Sequence, residues 1–186
     1  MEYLDIVDDL GNPTGKIVER KEAHEKGILH RTSHVWFVRK RESIEILLQK
    51  RSMNKDSWPG CYDISTAGHI PAGIDFISSA IRECKEELGI DLKKEDLLYC
   101  GYRKIQYEHM FHSKKFIDNQ YSNIYMVMKD IDDFTLQKEE VEDVIWMDFE
   151  QCKQGVLAHT FPNCIVYEEL MILEKAFEKY EINVKK

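Results

Sequence analysis

A chain of 186 residues with 43% hydrophobic residues has material for one buried core, and a single domain over residues 1–186 is expected. A formal charge of −8, and no apolar run near the roughly 18 residues that cross a bilayer, exclude a basic nucleic-acid binder and a membrane span and leave small molecules as expected partners. Five cysteines, odd in number and without a CxxC pair, exclude a zinc knuckle or disulfide framework and are expected to be reduced thiols.

Met1–Asp9 carries acids and no long apolar stretch, so it does not read as a secretory signal, and the expected compartment is cytoplasmic. Tyr3–Val7 reads as a first strand. Gly11–Gly15 (GNPTG) reads as a turn between two short strands, because Asn, Pro and Gly supply turn geometry. Thr32–Arg39, rich in β-branched and aromatic residues, reads as a strand, with Glu45–Gln49 as its hairpin partner. The Pro and Gly residues between Asn54 and Gly73 predict a long shaped loop with room for a short strand. Phe76–Leu88 reads as a helix, since Ile77, Ala80, Ile81, Cys84 and Leu88 share one face. Asp75 suits its N-cap and Gly89 its C-terminal stop. Strands follow near Leu97–Tyr107, Ser122–Met128 and Val144–Met147, then a helix over Tyr167–Tyr180. The pattern predicts an α/β (α+β) sandwich.

Three acids of the first predicted helix, Glu83, Glu86 and Glu87, stand at relative positions 0, +3 and +4 and so share one face. At about 100° per residue, the apolar stripe points roughly 120° away, so the acids are expected to crowd on a separate side. Like charges there repel, and a hard divalent cation with oxygen ligands would relieve them. The same three acids, taken alone, fit a solvated helix face with Arg82 and Lys85 as surface partners at least as well.

The loop before the helix adds information. Residues Gly68–Ile90 read GHIPAGIDFISSAIRECKEELGI. This resembles the Nudix box, G-x5-E-x7-R-E-U-x-E-E-x-G-U, with U a bulky apolar residue. Gly68, the Arg82–Glu83 pair, the Glu86–Glu87 pair, Gly89 and Ile90 match it. Cys84 is a mild variation at a U position. Ile74 departs from it, standing where the family has a glutamate that braces the helix arginine, with Asp75 one residue later as a partial substitute. GNPTG at Gly11–Gly15, His24, LHR at Leu29–Arg31, LLQKRS at Leu47–Ser52 and WPGCYDISTAGH at Trp58–His69 are similar to the branch that contains isopentenyl-diphosphate isomerase and its hydrolase relatives.

The resemblance implies the Nudix fold: a mixed β-sheet sandwiched between helices, with the box as a loop–helix–loop. It implies a hydrolase that cuts the diphosphate linkage of a nucleoside diphosphate derivative or similar small metabolite. Mg²⁺ would be the cofactor, with Mn²⁺ as a substitute ion. Glu83, Glu86, Glu87 and the Ala67 carbonyl would hold the metal, and Arg82 would brace the helix. Glu86 or Glu140 would be the general base, and Lys50, Arg51 and Trp58 would contact substrate. A homodimer is compatible with this reading. Two alternatives stand beside it. In the isomerase, histidine ligands occur in the order of His24, His30 and His69. However, that reaction needs a cysteine where this chain has Ala67, and an acidic pair where it has Asn119–Ser122 (NQYS). A non-catalytic binding module is the third reading, suggested by Ile74.

Overall fold

The computed structural model describes residues 1–111 and 114–182. β1 (Tyr3–Val7) and β2 (Pro13–Glu19) form an antiparallel ribbon, closed by a turn over Asp8–Asn12 with Gly11 at positive φ. The turn lies earlier than the expected Gly11–Gly15, because Pro13 already pairs with Val7 and Gly15 is part of β2. A short helix α1 (Arg20–Lys26) then leads into β3 (His30–Lys40) and β4 (Ile44–Arg51). Two short strands, β5 (Tyr62–Asp63) and β6 (Thr66–His69), lie within the Pro/Gly-rich stretch. Helix α2 spans Phe76–Leu88, the predicted bounds. The Asp75 side chain accepts the Ser78 amide at its start, and Gly89 ends it at φ 73°. β7 (Leu98–Phe111), β8 (Lys114–Met128), β9 (Val141–Asp148), α3 (Phe149–Ala158) and α4 (Tyr167–Lys179) complete the chain.

The central sheet runs β5-β4-β3-β8-β7, with β6 added to β3 and β9 to β4. It is mixed: β3 and β8 are parallel, and the other pairings are antiparallel. Side chains alternate across a strand, so successive residues of β3 feed two cores. Val35 and Phe37 pack with Leu47 and Tyr125 against Ala80, Cys84 and Leu88 of α2. Trp36 and Val38 pack on the opposite face against Phe149, Leu170, Leu173 and Phe177 of α3 and α4. This two-sided burial accounts for the unbroken apolar run of β3. The result is a sheet between α2 on one side and α3–α4 on the other, the expected architecture.

One irregularity positions the site. β3 pairs with β6 through Thr32–Val35 and with β4 through Val38–Lys40, so its two neighbours on that side splay apart. Ser65 bridges the gap: its hydroxyl donates to the Leu47 carbonyl (2.6 Å) and accepts the Phe37 amide (2.8 Å). The opening brings Gln49 and Thr66 beneath α2. The helices α1 and α3 were not read from the sequence. α1 has only two buried residues, Ala23 and His24, and so has little apolar periodicity.

Candidate active site

The acidic face of α2 is graded rather than uniformly exposed. Glu86 is half exposed, Glu83 mostly buried, and Glu87 buried. The expected separation of acids from the apolar face therefore fails at Glu87. The cause is the splayed sheet, which offers Glu87 polar partners: Thr66 Oγ1 donates to Glu87 Oε2 at 2.5 Å, and Gln49 Nε2 donates to the same oxygen at 3.2 Å. Burial dominates its electrostatics, and with Glu83 nearby it pushes the Glu87 carboxyl up to about 8 despite the Thr66 bond. Burial also raises Glu83, with Arg82 offsetting part of the shift. Gly68 on β6 faces Glu83 so closely that a Cβ there would collide with the carboxylate.

Arg82 spans the acids. Its Nη2 donates to Glu83 Oε1 at 2.5 Å and its Nη1 to Glu86 Oε2 at 2.8 Å. Asp75 does not substitute for the missing loop glutamate, because both of its oxygens are taken by Ser78. The loop is braced elsewhere. Arg31 of β3 donates to the Ile74 carbonyl (2.9 Å) and to Asp5 of β1 (2.7 Å), and Asp5 also accepts the Gly73 amide (2.9 Å). The backbone of β1 adds a bond from the Ala72 amide to the Tyr3 carbonyl. Neither Asp5 nor Arg31 stands out by sequence spacing, since 26 residues separate them.

Beside this face lies a cavity of 1140 Å³. Arg51, Lys55, Trp58, Ala67, His69 and Glu140 line it, as do His34, Arg103, Asp118, Cys164 and Glu169 farther along. Arg51 is fixed by Asp63 (2.9 Å) and by the Ser57 carbonyl. Trp58, in the left-handed region at φ 52°, stacks edge-on to His109. Glu140 is paired with Lys55. Lys50 is not brought to the cavity; it pairs with Glu142 at 3.2 Å.

The loop that carries Glu140 is tied to α2 by backbone. The Thr135 amide donates to the Leu88 carbonyl and the Gln137 amide to the Glu87 carbonyl, at 3.0 and 3.1 Å. The Glu140 amide in turn donates to the Gln137 carbonyl at 2.9 Å.

Three histidines also converge. His24 (α1), His30 (β3) and His69 (β6) have nitrogen atoms within 4.8 Å of one another. His24 Nε2 and His69 Nε2 are 3.0 Å apart, and His30 Nδ1 bonds the Ile28 carbonyl at 2.8 Å. Burial lowers all three, His24 to about 4 against the pull of Asp118, so each imidazole is neutral near pH 7. Neutral imidazoles offer lone pairs to a metal. Asp118 of β8 is buried, accepts from Tyr107 Oη at 2.8 Å, and lies 3.7 Å from His24. Glu108, by contrast, points to solvent and pairs with Lys115. The thiol that lines the cavity is Cys164, and burial pushes it up, keeping it protonated. All five cysteines are free thiols.

A model of the NUDIX domain matches residues 29–163. The chain belongs to the Nudix family. It is a hydrolase acting on diphosphate bonds. It is 37% identical over 188 residues to an uncharacterised Nudix hydrolase of Clostridium acetobutylicum, covering 98% of this chain and 85% of that one. It is 41% identical over 175 residues to Nudix hydrolase 3 of Arabidopsis thaliana, covering 90% of this chain but only 22% of that longer protein. Similarity to isopentenyl-diphosphate Delta-isomerase of Escherichia coli is 24% over 156 residues, covering 83% and 81%. The fold is shared with a crystal structure from Deinococcus radiodurans, at a TM-score of 0.65 and 16% identity, covering 87% of this Nudix chain and 92% of that one.

Proposed function

We propose that this Nudix chain, one domain over residues 1–186, is a Mg²⁺-dependent hydrolase, with Mn²⁺ as a substitute ion. Its substrate would be a nucleoside diphosphate derivative or a similar small diphosphate metabolite. The observation that carries the reading is the pair of buried carboxylates Glu83 and Glu87. Each is raised by its burial; Glu83 packs on Gly68, where a Cβ would collide with it, and Glu87 is held by Thr66 and Gln49. Such a pair is costly without a cation, and an all-oxygen donor set suits a hard divalent ion. Glu83, Glu86, Glu87 and the Ala67 carbonyl are the groups proposed to hold it.

When bound, the cation neutralises charge on the diphosphate oxygens and favours loss of a proton from water. The chain's own residues supply the rest. Glu140 or Glu86 accepts the proton of the attacking water; both are partly exposed. Lys55 pairs with Glu140 and fixes that carboxylate at the cavity. Arg82 keeps Glu83 and Glu86 in register on the helix. Arg51 supplies cationic contact to phosphate, and Trp58 offers an aromatic wall at the cavity.

The test is a phosphate-release screen over a diphosphate panel with Mg²⁺ or Mn²⁺. Turnover that needs the ion is expected, and full turnover in excess chelator overturns the reading. Isomerisation is a second reading, favoured by the His24–His30–His69 cluster beside Asp118. Moving a proton across an allylic system needs an acid and a base on opposite faces. Ala67 supplies neither, and Cys164 is the one thiol near enough to serve. No interconversion of isopentenyl and dimethylallyl diphosphate is expected. Metal-dependent interconversion at about 1 per second or faster, lost in Cys164→Ala, would replace hydrolysis as the reaction.

A further inference from the structure

Away from α2, the cavity wall holds a second constellation that hydrolysis itself does not use. Glu169 of α4 is 1% exposed and is surrounded by donors from two strands. His34 Nδ1 lies 3.0 Å from both of its oxygens, Trp36 Nε1 donates to Oε1 at 3.0 Å, and Arg103 Nη2 pairs with Oε2 at 3.2 Å. Glu169 is therefore saturated. Arg103 is not: among the described residues its Nε and Nη1 have no hydrogen-bond partner. A buried cationic N–H without an acceptor is costly, so such a group is poised to take one from a ligand. The Arg103 side chain is 11% exposed and that of Glu169 2%, and both residues line the cavity, Arg103 with donors to spare. Asp118 and Gln120 line the same wall, and among the described residues Asp118 Oδ1 also has no hydrogen-bond partner.

Position decides what Arg103 would meet. It stands on β7, and β8 and β3 separate it from β6, where Gly68 packs on Glu83. Three strand spacings amount to roughly 14 Å. A diphosphate held at the α2 carboxylates leaves that distance to be covered by the substrate's tail.

We propose that Arg103, oriented by Glu169, is the specificity-determining residue for that tail. It reads acceptor oxygens there, so the enzyme takes diphosphates with a polar tail, such as a sugar or nucleoside, and rejects those with a hydrocarbon tail. This rests on the hydrolase reading. A hydrocarbon at this wall leaves Arg103 Nε and Nη1 without an acceptor, the situation in which polar pockets discriminate most strongly. A fixed guanidinium beside an acceptor oxygen gains charge-assisted bonds at little entropic cost.

Calorimetric binding to the whole protein with Ca²⁺ tests this without turnover, using ADP-ribose, UDP-glucose, isopentenyl diphosphate and inorganic pyrophosphate as probes. Wild type is expected to bind at least one polar-tailed probe roughly tenfold or more tighter than isopentenyl diphosphate. Arg103→Lys keeps the charge beside Glu169 but loses the planar donors. It should lose that preference while binding pyrophosphate as wild type does, and Arg103→Met should do the same. Preference for the hydrocarbon tail, or an undiminished polar preference in a folded Arg103→Lys protein, overturns the proposal. The hydrolase reading fails separately. A polar probe bound through Arg103 but never cleaved with Mg²⁺ would sink hydrolysis and spare Arg103. Cleavage with a KM unchanged by Arg103→Lys would do the reverse.

Discussion

The carboxylate face of α2 and the Arg103–Glu169 wall of the cavity beside it are two polar sites built in opposite ways. On α2 the spacing of a single helix brings Glu83, Glu86 and Glu87 together, and their burial raises Glu83 and Glu87. At the far wall, β3, β7 and α4 must all be in register before His34 can meet Glu169 across 135 residues. There, burial alone would raise Glu169, but the charges of His34 and Arg103 outweigh it and hold the carboxyl down to about 2. One site thus carries negative charge in want of a cation; the other has its charge neutralised internally and offers donors. The contrast teaches that burial by itself does not fix a carboxylate's state. The partners delivered by the fold do.

The sharpest way to break the comparison is at α2. Glu87→Gln keeps the Thr66 and Gln49 neighbours but removes the charge, and should lower turnover by at least roughly 100-fold, beyond what loss of an outer support costs. The folded protein must be verified by melting, and unchanged kcat at matched Mg²⁺ would remove Glu87 from the site. Gly68→Ala should act like a ligand mutation without touching an acid, because its methyl group occupies the Glu83 carboxylate's space.

Next in size is the proposed base. Glu140→Gln should reduce kcat by about 10²-fold or more, with KM little changed, if it takes the water's proton. A drop of only a few-fold would transfer that role to Glu86.

The far wall is sharpened by pH. Glu169 titrates below its ordinary 4.5 in the folded state, so its ion pairs stabilise the protein above that pH. That stability is lost as pH falls from 4.5 toward 2. Acid unfolding of Glu169→Gln should therefore be flatter across this window, though the variant starts from a lower stability at neutral pH. Parallel acid-unfolding curves for the two proteins would remove Glu169 from the account. The smallest effect is expected at Ile74→Glu. Arg82 is already held by Glu83 and Glu86, and Arg31 braces the loop. The restored acid should change turnover by no more than about twofold, in keeping with an exposed ion pair. A tenfold gain would show that Ile74 limits the enzyme.

These differences follow what a sequence can carry. The α2 helix, its Asp75 and Gly89 caps, and the acids at 0, +3 and +4 depend on neighbours within one or two turns, and all were legible. So were β1, β3, β4 and α4 to within a residue or two, through periodicity and β-branched content. The burial of Glu87 was not, because it depends on Ser65 holding two splayed strands apart. Asp5–Arg31, His34–Glu169–Arg103 and the entry of Cys164 into the cavity were invisible for the same reason: each joins segments whose meeting is decided by sheet order. β7 and β8 run longer than expected because inward-facing polar residues that line the cavity, such as Asp118 and Gln120, break the apolar–polar alternation.

The backbone tie between α2 and the loop at Thr135–Glu140 bears on how this protein can vary. Gly89 has no side chain, and a Cβ there would run into Thr135, so helix and loop meet along a seam with no slack. Lengthening or shortening residues 130–140 would strip the last-turn carbonyls of Glu87 and Leu88 of their partners while also displacing Glu140. Helix and loop are heritable as one part: a loop transplanted from a relative should work only when it arrives with the helix end it was fitted to.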